Sequence, residues 1–444
     1  MDDPTLIAAD DLAAVFLVVA VSFATLVALA SWRITVAAVV VLGVLQTHLL
    51  LDLSVSLASY RILLLDTVML GVMVACGIRL LSVRRADLVL GCWIALAALS
   101  LFAMMRASST IGLGAAAVSF RPDFYLVVAA LYMQTFDWTP VNLDRFATLW
   151  LSAGSALALY GLGCWIEPAL IISPALKLES GFQLAYMQWR VLPASSALLI
   201  ASAGLIGFAL WTRSSAATGW QLVAVLLLIM VALLYHRSVW VSAVAGVAAA
   251  VLVQPQLLGR LLPPLALTML ALFLIWTVGD ELVASAFDTA VSEPFDASST
   301  WEWRTRNWRT MIPETIAAGW TTTLFGWGYG IGFEDPVSGL PLSNPHNAYV
   351  QMFVNMGLLG LGVFGTCLTV PLWFLWRRRV AEGDLFDRTT AMTLLVALIV
   401  YCVPYSPSID QGILAGVISG LASRARMTPR AALPDGRPVR GAGK

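Results

Sequence analysis

NPHNAYVQMFVNMGLLGLGVFGTCLTVPLWFLWRRR, residues 344–379, is the stretch that decides what kind of molecule this chain builds. It opens on polar residues, carries one of the three histidines, turns apolar from Phe353 to Trp376, and stops at three consecutive arginines. An apolar run of about 20 residues is what an α-helix needs to cross a bilayer core. A block of arginines at its end marks the cytoplasmic side. The same pattern recurs along the chain.

Hydrophobic residues make up 59% of the 444, mean hydropathy is +0.84, and charged residues are 12%. A soluble domain would carry roughly 25% charge. The formal net charge is +0, which offers no field for nucleic acid. The acidic start, MDDPTLIAADDLAAVF, lacks the basic region of a cleavable signal. Apolar runs bounded by charge, Pro or Gly predict spans near 12–31, 34–51, 62–80, 87–105, 121–137, 145–165, 194–211, 219–235, 239–254, 261–277, 353–376, 389–405 and 408–423, so about 12 or 13 helices. The expected fold is an all-α integral membrane protein with one large outer loop. Its divisions are N-terminal membrane helices over 1–277, an extracytoplasmic loop over 278–350 with short helices and the active site, C-terminal membrane helices over 351–423, and a basic, disordered cytoplasmic tail over 424–444.

The five cysteines are scattered without a C-x-x-C pair and read as small core residues. His48, His236 and His346 show no metal-ligand spacing.

Counting spans back from Arg377 and the basic tail leaves Arg61, Arg106, Arg121, Arg190, Arg237, Arg304, Arg306 and Arg309 outside, against the positive-inside bias. An anionic ligand is the simple explanation for the set; pairing with acids of the same loop, such as Asp280 or Glu302, would explain any single one as well. In the loop, SSTWEWRTRNWRTMIPETIAAGW opens on a capping-box pattern, Ser299-x-x-Glu302. The helix behind it puts Trp301, Arg304 and Trp308 on one face, the indoles at membrane-interface depth, and Arg306 and Arg309 elsewhere. The glycines of LFGWGYGIGF let backbone turn tightly and approach a ligand or another helix.

In SNPHNAYVQ, Asn344 suits a helix N-cap and Pro345 the first helical position, which puts His346 in the first turn. A helix N-terminus disfavours imidazolium, and a neutral imidazole can act as a general base. Asn347, Gln351 and Asn355 form a polar stripe expected to face a wet cavity.

These segments together resemble the O-antigen ligase and polymerase superfamily of bacterial cell-envelope glycosyltransferases. The resemblance is carried by Arg304-x-x-x-Trp308, by LFGWGYG, and by HNAYVQMFVNMGLLG. YHRSVWVSAVAG around Arg237 matches in part, with His236 where the family has a serine or threonine; Arg190 in MQWRVLP matches more loosely. The resemblance implies a C-type glycosyltransferase architecture in the bacterial inner membrane, with the site on the periplasmic side. It implies a glycan donor on a polyprenyl diphosphate such as undecaprenyl diphosphate, a glycan or lipid-core hydroxyl as acceptor, and inverting transfer with no metal and no cofactor. Carried over, His346 is the base and Arg304, Arg237 and Arg190 hold the diphosphate, with Asn347, Gln351, Trp308 and Arg306 in support.

Two other readings stay open. A transporter or flippase would use intramembrane charge, for which Asp66 with Arg61 as partner is the best pair. A transferase with an acidic base would use Asp52. Within the superfamily, ligase and polymerase share the base and the diphosphate clamp and differ in the acceptor.

Overall fold

The computed structural model describes residues 4–48, 54–57, 60–82, 87–167, 170, 191–213, 218–234, 236–259, scattered positions from 262 to 270, 300–334, 341–342, 345–377 and 385–427. The apolar runs become helices because backbone amides in hydrocarbon must find partners within their own segment. In chain order these are α1 (Pro4–Ala30), α2 (Trp32–His48), α3 (Leu64–Ser82), α4 (Leu88–Ile111), α5 (Leu113–Gln134), α6 (Pro140–Ile166), α7 (Ala194–Arg213), α8 (Thr218–Leu233) and α9 (Arg237–Val253). After the undescribed stretch come α10 (Thr300–Ala317), α11 (Trp320–Phe325), α12 (Ala348–Arg377), α13 (Leu385–Tyr401) and α14 (Ile409–Met427). The strands among the described residues form two short antiparallel hairpins, β1 (Ser54–Leu57) with β2 (Tyr60–Leu63) and β3 (Phe333–Glu334) with β4 (Pro341–Leu342).

The chain is an all-α integral membrane protein. Five helices, α3, α4, α5, α6 and α12, are long and apolar enough to cross a membrane, and shorter apolar stretches occupy α1, α2, α7, α8, α9 and α13. Twelve of the thirteen expected spans have a helix; the expected span 261–277 lies largely outside the described residues. Two starts differ most from expectation, that of the first span, whose helix begins at Pro4 rather than 12, and that of the fifth. The helix of the fifth span starts at Leu113 rather than 121, because Gly112 (φ 83°) turns the chain sharply between α4 and α5.

Packing pairs α9 with α13, α14 with α5, α7 with α8, α4 with α5 and α12 with α4. Gly412, Gly416 and Gly420 form a stripe on α14; a Cβ at the first two would sit 2.3 and 2.5 Å from the Leu126 and Ala130 carbonyl oxygens of α5. Small residues at this spacing let membrane helices touch backbone to backbone. Trp93, Trp138 and Trp150 are fully buried, and the five cysteines are free.

Asp66, expected to pair with Arg61, instead holds Arg121 Nε at 2.8 Å and accepts from the Tyr125 hydroxyl. Arg121 is one helical turn before Tyr125 on α5, so the carboxylate joins α3 to α5 as a structural pair. Asp52 lies outside the described residues.

Candidate active site

Helix α10 lies against the start of α12 through a row of aromatic and apolar residues. Met311 is fully buried with Phe333, Val350 and Val354. One turn earlier, the Trp308 indole donates to the Pro345 carbonyl at 2.7 Å. Trp303 sets its ring against His346, centroids 5.6 Å apart. Trp301 and Trp308 meet edge to face at 5.4 Å, as their shared face requires. Ser299 of the expected capping box lies outside the described residues; the helix starts at Thr300.

His346 does not lie in the first turn. Helix α12 starts at Ala348, and its cap is Asn347, whose Oδ1 accepts from the Val350 N–H at 2.9 Å. Asn344 lies outside the described residues. His346 precedes the cap with φ 49°, the one non-glycine positive φ among the described residues. That conformation costs an L-residue about 1–2 kcal/mol and persists where its surroundings impose it. Here they do. Trp308 holds the carbonyl before His346, and the Ala348 N–H two residues later donates to the Cys402 and Tyr405 carbonyls at 2.9 and 3.0 Å. Burial first, and the Arg304 charge second, push the His346 imidazole down from its ordinary 6.5 to about 4. It is neutral at pH 7, as expected, though for reasons other than a place inside the helix.

The outer arginines divide by what holds them. Arg121 is tied to Asp66. Arg106 on α4 donates to the Phe325 and Gly326 carbonyls and closes the end of α11. Arg309 is exposed. Arg304 stacks over the Tyr405 ring at 4.9 Å, and Tyr405 stacks in turn on Tyr401 at 4.8 Å. The Nε–H groups of Arg304 and Arg306 are buried without an acceptor among the described residues, so Arg306 is not simply a solvent-facing anchor.

Arg237 starts α9 at this same end of the bundle. The His236 Nε2–H donates to the Leu192 carbonyl at 2.8 Å, just before α7. Ser195 and Ser196, at the start of α7, line a cavity of about 90 Å³ with Ser408 and Asp410, which follow Tyr405 in the chain. Arg190 lies outside the described residues.

Two members of the polar stripe of α12 are spent within the protein. Asn347 is the cap, and the Gln351 Nε2 donates to Asp123 Oδ1 at 3.0 Å. Tyr329, from the glycine-rich loop, donates to the other oxygen of Asp123 at 2.8 Å. Asp123 is fully buried and was missed from the sequence. Its signal was a carboxylate inside an apolar helix, which needs a partner.

The glycines serve another helix rather than a ligand. Gly357 (φ 68°) breaks α12, which frees the Val354 and Asn355 carbonyls. The Trp327 and Gly328 N–H groups take them at 2.7 and 3.1 Å. Leu324 comes so close that a Cβ on Gly357 would lie 2.2 Å from its carbonyl carbon. The break leaves residues 358–377, roughly 30 Å of helix, to cross the bilayer. The short piece before it packs against α10.

Among the described residues, no three of His, Cys, Asp and Glu gather as metal ligands. No curated protein and no solved structure matches the chain. A family model described as O-antigen ligase matches residues 222–365. Over this stretch the chain is similar to the O-antigen ligase family. The matched stretch opens within α8 and closes within α12, so it holds Arg237, all of α10, the glycine loop and His346. Arg190 and Tyr405 fall on either side of it.

Proposed function

We propose that the protein is an O-antigen ligase-type membrane glycosyltransferase. It moves a glycan from a polyprenyl diphosphate, such as undecaprenyl diphosphate, to a hydroxyl acceptor on the periplasmic side of the inner membrane. The observation that carries the reading is His346: a neutral imidazole fixed in an unfavoured backbone conformation beside Arg304, at one helix start. His346 removes the proton of the acceptor hydroxyl. The oxygen attacks the anomeric carbon from the face opposite the diphosphate, the glycosidic C–O bond breaks, and the configuration inverts. Charge gathers on the leaving diphosphate, and Arg304, Arg237 and Arg190 hold it there. A bound diphosphate also offsets the Arg304 charge that depresses His346, so the donor makes the base stronger. No metal is required in this scheme.

The test separates base from scaffold. His346→Gly keeps the positive φ without strain, so the melting temperature should hold. Transfer from a polyprenyl diphosphate-linked glycan should fall about a hundred- to ten-thousand-fold. Full activity in that variant removes His346 from the mechanism. In cells, deleting the gene should leave complete lipid-linked glycan and an unmodified acceptor. Short chains on a modified acceptor would instead identify a polymerase.

A further inference from the structure

Asn307 lies in the middle of α10 at 1% exposure, yet neither its Nδ2 nor its Oδ1 has a hydrogen-bond partner among the described residues. Buried amides are nearly always paired, and this one has donors and an acceptor to satisfy at once. The helix register says where it points, because residues three and four apart share a face. Trp303, four residues before it, lies against His346. Arg304, three before, reaches the Tyr405 ring. Met311, four after, packs on Val350 and Val354. Asn307 therefore looks onto the ground between His346, Tyr405 and the first turn of α12. Arg304 and Arg306, in the same turn, carry buried Nε–H groups that also lack acceptors.

We propose that Asn307 holds the glycosyl–phosphate junction of the donor, its Nδ2 donating to a phosphate oxygen and its Oδ1 accepting from a hydroxyl of the attached sugar. The inference rests on the transferase reading above. The two ends of the amide select the ligand class. An ionised diphosphate offers acceptors only, so it answers guanidinium and amide N–H groups but leaves an amide oxygen unmet. A sugar joined to phosphate offers an acceptor and a donor within reach of one side chain. Asn307 thereby favours the loaded donor over the bare polyprenyl diphosphate left after transfer, and the spent carrier leaves more readily.

The experiment measures dissociation constants of the full-length protein in lipid nanodiscs for two probes. One is undecaprenyl diphosphate; the other is undecaprenyl diphosphate bearing a single N-acetylglucosamine. Wild type should bind the sugar-bearing probe more tightly. Asn307→Leu should weaken that probe about tenfold and the bare probe less, with the melting temperature unchanged or raised. Asn307→Asp, which keeps the acceptor but brings a negative charge to the phosphate, should weaken both. The proposal is overturned if Asn307→Leu binds both probes as wild type does, or if it lowers only the melting temperature. Failure of the wild type to bind either probe, or an Arg304→Gln variant that binds both as wild type does, would sink the transferase reading instead.

Discussion

At His346, backbone and charge act together on one side chain. The left-handed φ lifts the ring out of the helix that follows, and burial plus Arg304 keep it neutral. The pH dependence has a definite sign. Only the unprotonated ring accepts a proton, so activity is present above the histidine pKa and falls as pH drops through it. Because that pKa is lowered to about 4, the acid limb of kcat/KM should lie well below the ordinary 6.5. Arg304→Gln removes a like charge and should move the limb of the remaining activity upward. A limb that stays in place shows that another group sets it. The type of this residue was legible from the sequence; its geometry was not. NPHN reads as a helix start by local rules, and nothing local says that Asn347 takes the cap. That choice is made by the Cys402 and Tyr405 carbonyls and by Trp308, all distant in sequence.

Among the elements, α12 and the glycine loop are a single device. The loop fills the hydrogen bonds that Gly357 breaks, and Arg106 closes the helix before it. An alanine at position 357 would force a positive φ and meet the Leu324 backbone. Gly357→Ala should cost on the order of 3 kcal/mol, read as a lowered melting temperature in detergent, and should lose transfer because α10 no longer seats against α12. A variant that melts as wild type does would mean the break is not needed. The sequence marked the loop as a place of close approach but left open whether a ligand or a helix approached. Positive φ values and Cβ distances are properties of the packed pair, and they name the helix.

For the molecule as a whole, His346 and Arg304 lie by the start of α12 at one end of the bundle, while α12 ends at Arg377 and α14 ends beyond Arg424 at the other. Arg424 and Arg388 bind the Trp138 and Trp376 carbonyls there. The positive-inside bias then predicts a cytoplasmic C-terminus. A fluorescent protein fused after Lys444 should fluoresce and an alkaline phosphatase fused there should be inactive; the reverse would turn the site toward the cytoplasm. At this scale the sequence alone was strong. Hydropathy is additive along the chain, so span positions, the all-α class and the family motifs around Arg304 and His346 needed no tertiary knowledge. What only the folded chain decided are relations between residues far apart. They include Asp66 choosing Arg121 over Arg61, Gln351 turning to Asp123 and Arg106 spent on a helix end. Asn307 likewise becomes a buried amide with no partner among the described residues only in the folded chain. A hydrogen bond or an ion pair is settled by which groups packing brings within about 3 Å, and no local pattern along the chain carries that distance.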